Sequence, residues 1–153
     1  MSVIAPWKQT KYLTLSSFFF SVPALYSYYR YNMIYSPVLL CSVSLISANY
    51  WRNALYDWRR QLDIYMARFA FVYFIASGFY YLPPRVSVFV GIPSLYSIGY
   101  CFNKSHSEYE ENMESNAWVF YHALFHSIST CNIIFILTKI GNNYAKLLVT
   151  EKD

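Results

Sequence analysis

The charged residues of this chain are placed so that they leave five long apolar stretches almost uninterrupted, over residues 12–29, 33–51, 62–82, 86–102 and 117–140. A helix needs about 17–25 residues to cross the hydrocarbon of a bilayer, and all five stretches fall in or near that range. Inside lipid each backbone N–H must find its partner within its own segment, which selects helix. Charged residues make up 13% of the 153, where a soluble domain carries about 25%, and hydrophobic residues make up 56%. The expected fold is therefore all-α, a polytopic transmembrane bundle of about five spans forming one multi-pass transmembrane domain over 1–153.

The fourth stretch is short and carries Gly91, Pro93 and Gly99, so a kink or shielding by neighbouring helices is expected there. Lys8 and Lys11 ahead of an apolar run imitate a secretory signal, but the bulk of Tyr26, Tyr28 and Tyr29 makes a poor cleavage site. A retained first helix is the expectation.

The connections alternate in character. Those around 30–32 and 83–85 are very short and flanked by tyrosines, among them Tyr26, Tyr31, Tyr80 and Tyr81. Tyrosine suits the headgroup level, with its ring in acyl chains and its hydroxyl wet. The connections over 52–61 and 103–116 are longer and charged, and with five crossings they share the opposite face. Ser36 with Pro37 suits the opening of the second helix, and Ser115 or Asn116 can cap the last one. The acidic run Glu108, Glu110, Glu111 and Glu114 precedes that last helix and favours its positive end. Lys8, Lys11, Arg52, Arg59 and Arg60 outnumber Arg30 and Arg85, which puts the N-terminus and the elaborated face on the cytoplasmic side; Lys139, Lys146 and Lys152 pull the other way.

A formal charge of +4, scattered, excludes a nucleic-acid partner and leaves membrane lipids as the expected one. Arg59 and Arg60 read as juxtamembrane anchors. Cys41, Cys101 and Cys131 are odd in number and widely spaced, so packing is their expected role.

Ionisable residues inside spans are costly and mark candidate sites. His122 and His126 lie four residues apart on one face of the last helix, and Ser129 extends that face. Asp63 opens the third span, while Ser47, with Ser44 one turn earlier, lies near the end of the second. Topology places Ser47, Asp63, His122 and His126 at similar depth on the same side. Two imidazoles at this spacing can share a zinc ion, with a third ligand from another helix, and the metal would lower the pKa of bound water. Equally, the histidines can hydrogen-bond across helices to Asp63 or Ser47, and Asp63 can partner Arg59, Arg60 or Arg68. Arg68 is expected to snorkel to the headgroups, and His106 to be solvated in a charged loop.

The constellation Ser47-Ala-Asn-Tyr-Trp51, Asp63 and His122-Ala-Leu-Phe-His126 resembles the membrane hydrolase superfamily of alkaline ceramidases and progestin/adiponectin receptors. The resemblance implies zinc at His122 and His126, with Asp63 and Ser47 positioning water or stabilising an oxyanion. The chain departs from that pattern at Trp51, where the family has a histidine, and in having about five spans instead of seven. A third ligand would then come from Asp63, Glu114 or water. Asn49-Tyr-Trp-Arg-Asn53 with Trp58-Arg-Arg-x-Leu-Asp63 also looks like uncharacterised membrane proteins of large DNA viruses.

Two functions remain open. One is a non-catalytic scaffold or receptor-like module that retains an intramembrane polar cluster. The other is a zinc-dependent hydrolase of lipid amides or esters, with His122, His126 and Asp63 on the metal and Ser47 and Asp63 in catalysis. Because Trp51 cannot ligate a metal, the residues weigh towards the first.

Overall fold

The computed structural model describes residues 3–150, with side chains described as far as residue 143, so Lys146 and Lys152 fall outside the described side chains. Helix α1 (Trp7–Ser17) passes through a 3₁₀ turn (Phe18–Phe20) into α2 (Ser21–Tyr31). Pro23 has no N–H to offer the Phe19 carbonyl, and the tighter turn lies directly upstream of it. Asn32 ends α2 in the left-handed conformation, at φ 53°, and its N–H bonds the Tyr28 carbonyl at 2.9 Å.

Helix α3 (Tyr35–Trp51) starts one residue before Ser36. The expected Ser36 cap does not form. The Ile34 carbonyl receives the Val38 N–H, and the buried Ser36 hydroxyl meets Tyr73 Oη of α4 at 3.1 Å instead. Pro37 does sit in the first turn.

Helix α4 (Trp58–Tyr81) begins four residues ahead of the expected span. Asp57 caps it, accepting from Arg59 N–H at 3.0 Å and Arg59 Nε at 2.8 Å. That side-chain bond holds the Asp57 carboxyl below its ordinary pKa of 3.8. Arg59 is thus engaged with Asp57 and not with Asp63.

After α5 (Pro84–Val86) comes a π turn (Ser87–Gly91) and then α6 (Ile92–Glu111), one continuous helix from Pro84 to Glu111. Pro93 cannot bond the Phe89 carbonyl, which lies within the π turn. The charged connection expected over 103–116 is corrected here: helix continues to Glu111, and only 112–116 link it onward. Lys104–Glu108 at 2.7 Å and His106–Glu110 at 3.3 Å, both one turn apart, brace this polar extension. His106 accordingly stands on a helix beside a glutamate, not in a loop. Helix α7 (Ala117–Thr150) starts where Ser115 Oγ accepts the Ala117 N–H, as expected.

By length and composition, three helices are able to cross a membrane: Trp58–Tyr81, Pro84–Glu111 and Ala117–Asn143. Helix α3, at 17 residues, is at the lower limit of a crossing element, and the halves α1 and α2, at 11 each, fall below it taken singly. Only 17% of the most apolar stretch of α4 is buried, and 11% of that of Pro84–Glu111. Phe89 and Phe79 are 78% and 63% exposed. Soluble monomers rarely expose apolar patches beyond about 300–600 Å². An outer surface of this kind fits an integral membrane protein.

The rods form a horseshoe. The α1–α2 rod packs on α3 and α7, α3 continues the wall to α4, and α7 continues it to α6. Helices α4 and α6 form its two arms, and α4 meets the last arm chiefly at the π turn. At one end the chain entering α1 is tied down. Ile4 N–H bonds the Ala54 carbonyl at 2.8 Å, Tyr109 Oη donates to Ile4 O at 3.0 Å, and Gln9 Nε2 donates to the carbonyls of Met113, Glu114 and Ser115. The N-terminal segment and the 52–57 and 112–116 connections therefore meet at one end of the bundle. At the other end Tyr26 Oη contacts Thr138 Oγ1 at 3.1 Å and Tyr31 Oη donates to Asn142 Oδ1 at 3.1 Å.

A buried polar layer as candidate functional site

Two apolar clusters fill the bundle. One holds Leu13, Tyr50, Trp51, Trp118 and Val119; the other holds Phe20, Leu40, Val43, Phe74, Ile133 and Leu137. Between them, on three helices at once, the sequence turns polar: Ser16 and Ser17 between Leu13 and Phe20, Ser44 and Ser47 between Val43 and Tyr50, His122 and His126 between Val119 and Ile133. The result is a polar layer at one depth.

The layer is densely bonded. Ser16 Oγ lies 2.9 Å from His126 Nδ1 and donates to the Leu13 carbonyl at 3.1 Å. Ser17 Oγ bonds the Leu13 carbonyl at 2.7 Å and lies 3.0 Å from Ser47 Oγ. Ser21 and Ser44 hydroxyls meet at 3.0 Å. His126 is 4% exposed, Ser47 4% and Ser17 0%, so the bonds among Ser16, Ser17, Ser47 and His126 are made away from solvent, where an unmade one is costly. Interhelical hydroxyl and imidazole bonds of this kind hold helices together in a solvent that gives apolar contact no advantage.

Against the residues singled out from sequence, His122 and His126 do stand together, with ring centroids 4.9 Å apart. The hydrogen bond from His126 goes neither to Asp63 nor to Ser47 but to Ser16. Ser47 accepts from Ser17, and Asp63 lines the same cavity as Ser47. Glu114 is exposed in the 112–116 turn and stands apart from the layer. Trp51 rests on His122, with ring centroids 5.1 Å apart, and on Trp118 at 6.3 Å. No ion pair joins Asp63 to an arginine among the described residues; Arg60 lies over the Tyr56 ring instead.

Beside the layer, between the arms α4 and α6, lies a cavity of about 570 Å³. Ser47, Trp51, Asp63, His122 and His126 line it, and Phe74, Phe79, Leu95 and Ile98 are among its apolar walls. Arg60 and Arg68 border it as well, and Arg68 is exposed.

A catalytic zinc site uses three protein ligands and keeps a fourth position open. Here two imidazoles adjoin, but no group of three His, Cys, Asp or Glu side chains able to hold a metal ion occurs among the described residues. An indole occupies the place beside His122.

Sequence reasoning missed the contribution of helix one. The signal was a pair of hydroxyls, Ser16 and Ser17, in the middle of an otherwise aromatic and aliphatic span. No protein-family model, no curated protein and no solved structure matches the chain.

Proposed function

We propose that the protein is a five-span membrane protein, N-terminus on the cytoplasmic side, that acts as a non-catalytic, receptor-like module holding a lipid-type amphiphile between α4 and α6. One observation carries this reading: the cavity has largely apolar walls, and Ser47, Asp63 and His122 are among the fewer polar residues that line it. A site that is mostly apolar with a few convergent polar groups is the usual form of a small-molecule pocket, and about 570 Å³ lies inside the usual range of roughly 300–1,000 Å³. One hydrocarbon chain with a small head matches that division of surface. The likeness to the ceramidase and adiponectin-receptor superfamily then concerns the scaffold, with the polar layer kept for helix packing and ligand contact. The alternative, a zinc-dependent hydrolase of lipid amides or esters with His122, His126 and Asp63 as ligands, asks for three donors around one ion; the two adjoining imidazoles support it, and the missing third ranks it second.

The test is mass spectrometry of the protein purified in mild detergent from a lipid-rich host. About one single-chain lipid per polypeptide is expected to survive purification. Gly91 borders the cavity and has no atom within 4 Å of its would-be Cβ. Gly91→Phe therefore fills the space and expels the lipid without unfolding the bundle. A parent protein that retains no lipid, or a variant that retains as much as the parent, sinks the reading.

A further inference from the structure

The charged side chains that line the cavity all belong to the first half of α4: Arg60, Asp63 and Arg68. Among the described residues, those that α3, α6 and α7 contribute to the lining include no Asp, Glu, Lys or Arg. With histidines neutral, the lining therefore carries two positive charges against one negative. Arg68 belongs to the face of α4 that borders the space. Ile64, one turn before it, and Phe71 and Ile75, one and two turns after it, line the cavity too. Its side chain is exposed, so an occupant of the cavity can reach it.

Depth makes that imbalance matter. Arg68 is the eleventh residue of α4, counted from Trp58. At about 1.5 Å per residue it stands about 15 Å along the helix from the polar first turn, which is half of a hydrocarbon core about 30 Å thick. No ion pair, hydrogen bond or ring contact engages its guanidinium among the described residues. Arg60 lies over the Tyr56 ring, 5.1 Å from its centroid, and pairs with no carboxylate among them either. An arginine at such depth is costly in lipid unless it faces a cavity or a counter-charge. Asp63 supplies one negative charge at the wall, and the second is left for an occupant to bring. Past Arg68 the chain is uncharged as far as Leu82, about 21 Å of helix. Phe71, Phe74, Phe79 and Leu82 continue the lining along it.

We propose that the cavity takes a single-chain lipid whose head carries one negative charge, with that charge on the Arg68 guanidinium and the chain along the wall from Phe71 to Leu82. A guanidinium presents its donors as a fork that fits two oxygens of a phosphodiester or of a carboxylate alike. It is the missing negative charge that selects the head. The inference rests on the lipid-holding reading above and adds the charge of the head and the residue that meets it.

The experiment measures binding of 1-oleoyl-lysophosphatidylglycerol, oleate and monooleoylglycerol to the full-length protein in phosphatidylcholine nanodiscs, at a pH that keeps oleate ionised. The three share one chain, and their heads are a phosphodiester anion, a carboxylate anion and a neutral glyceride. The parent is expected to bind one or both anions about tenfold or more tightly than the glyceride, the scale of one hydrogen bond to a charged group. The anion it binds better identifies the source of the charge. Arg68→Gln is expected to bring the anions down to the level of the glyceride and to leave the glyceride where it was. Arg68→Lys keeps the charge and is expected to keep a preference. Arg52→Gln changes an exposed arginine outside the lining and is expected to behave as the parent. Equal binding of all three lipids by the parent overturns the charge claim and leaves the lipid-holding reading standing, as when water satisfies the guanidinium. A preference that survives in Arg68→Gln, or that Arg52→Gln abolishes as well, overturns it too, since the anion would then be drawn elsewhere on the protein. So does loss of the glyceride together with the anions in Arg68→Gln, or loss of the preference in Arg68→Lys, because packing or shape would then be the cause. Binding of none of the three by the parent removes both claims.

Discussion

Ser16 Oγ and His126 Nδ1, 110 positions apart in sequence, stand 2.9 Å apart in the middle of the bundle. The bond joins the first helix to the last at a depth where neither partner has water as a substitute. Ser16→Ala strands a buried imidazole nitrogen, for which a loss of about 1–3 kcal/mol is expected. His126→Phe removes the nitrogen and keeps an aromatic ring against Phe20, now 5.2 Å away between centroids, and leaves Ser16 its bond to Leu13. The double variant is therefore expected to lose less than the sum of the two, by about 1 kcal/mol, in thermal or denaturant unfolding in detergent. Additive losses would show that the two groups do not interact.

Gly141 of α7 faces the Tyr31 ring so closely that a Cβ would fall on the ring itself. Gly141→Ala must displace that ring and with it the bonds from Tyr31 to Tyr26 and Asn142. A loss of about 1–3 kcal/mol is expected, the usual range for overpacking. Gly99 lies within α6 with nothing within 4 Å, so Gly99→Ala is expected to be neutral or to stabilise by up to about 1 kcal/mol. The same melting assay ranks the two, and equal effects would contradict the packing described.

Asp57 is the titrating group to watch at the start of α4. Its carboxyl is held below 3.8 by Arg59, so the folded protein binds its proton less readily than the unfolded chain does. The stability it contributes is present above that ordinary value and is lost as pH falls through the lower folded one. Asp57→Asn keeps a capping oxygen and loses the charge. The parent is expected to lose more stability than Asp57→Asn on going from about pH 6 to about pH 3. Parallel pH profiles would show that Arg59 does not bias the carboxyl.

Metal content separates the two functional readings directly. With two adjoining imidazoles and no third donor grouped with them among the described residues, purified protein is expected to hold far less than one zinc per chain. His122→Ala is expected to leave zinc content unchanged. Stoichiometric zinc that His122→Ala abolishes would return the hydrolase to first place.

Much of this arrangement is legible in the residues. Helical class and the final helix follow from the spacing of apolar runs, and the approach of His122 to His126 follows from their separation of four. The helix ends were harder. Asp57 starts α4 early because a carboxylate two residues ahead of Arg59 can take both its N–H and its guanidinium, a local choice that hydropathy does not register. The polar end of α6 stays helical to Glu111 because one-turn charge pairs support it, where a count of charges alone reads loop. The partners of the polar layer were least legible. A serine inside a span bonds its own helix or another with equal chemical ease, and which one depends on how the rods are turned. Ser16 and Ser42 illustrate the two outcomes: one reaches across to His126, the other bonds only the carbonyl one turn back.

A route to the cavity between α4 and α6, two helices apolar enough to cross a membrane, would run sideways. A molecule that reaches the layer by that route travels within the plane of the bilayer and never sheds an oily coat for an aqueous one. Its occupancy is governed by its mole fraction among the surrounding lipids, and the concentration in the bulk medium matters only through partitioning. Titrations of this protein are therefore properly plotted per lipid molecule, and diluting the vesicle suspension at fixed composition should leave saturation where it was.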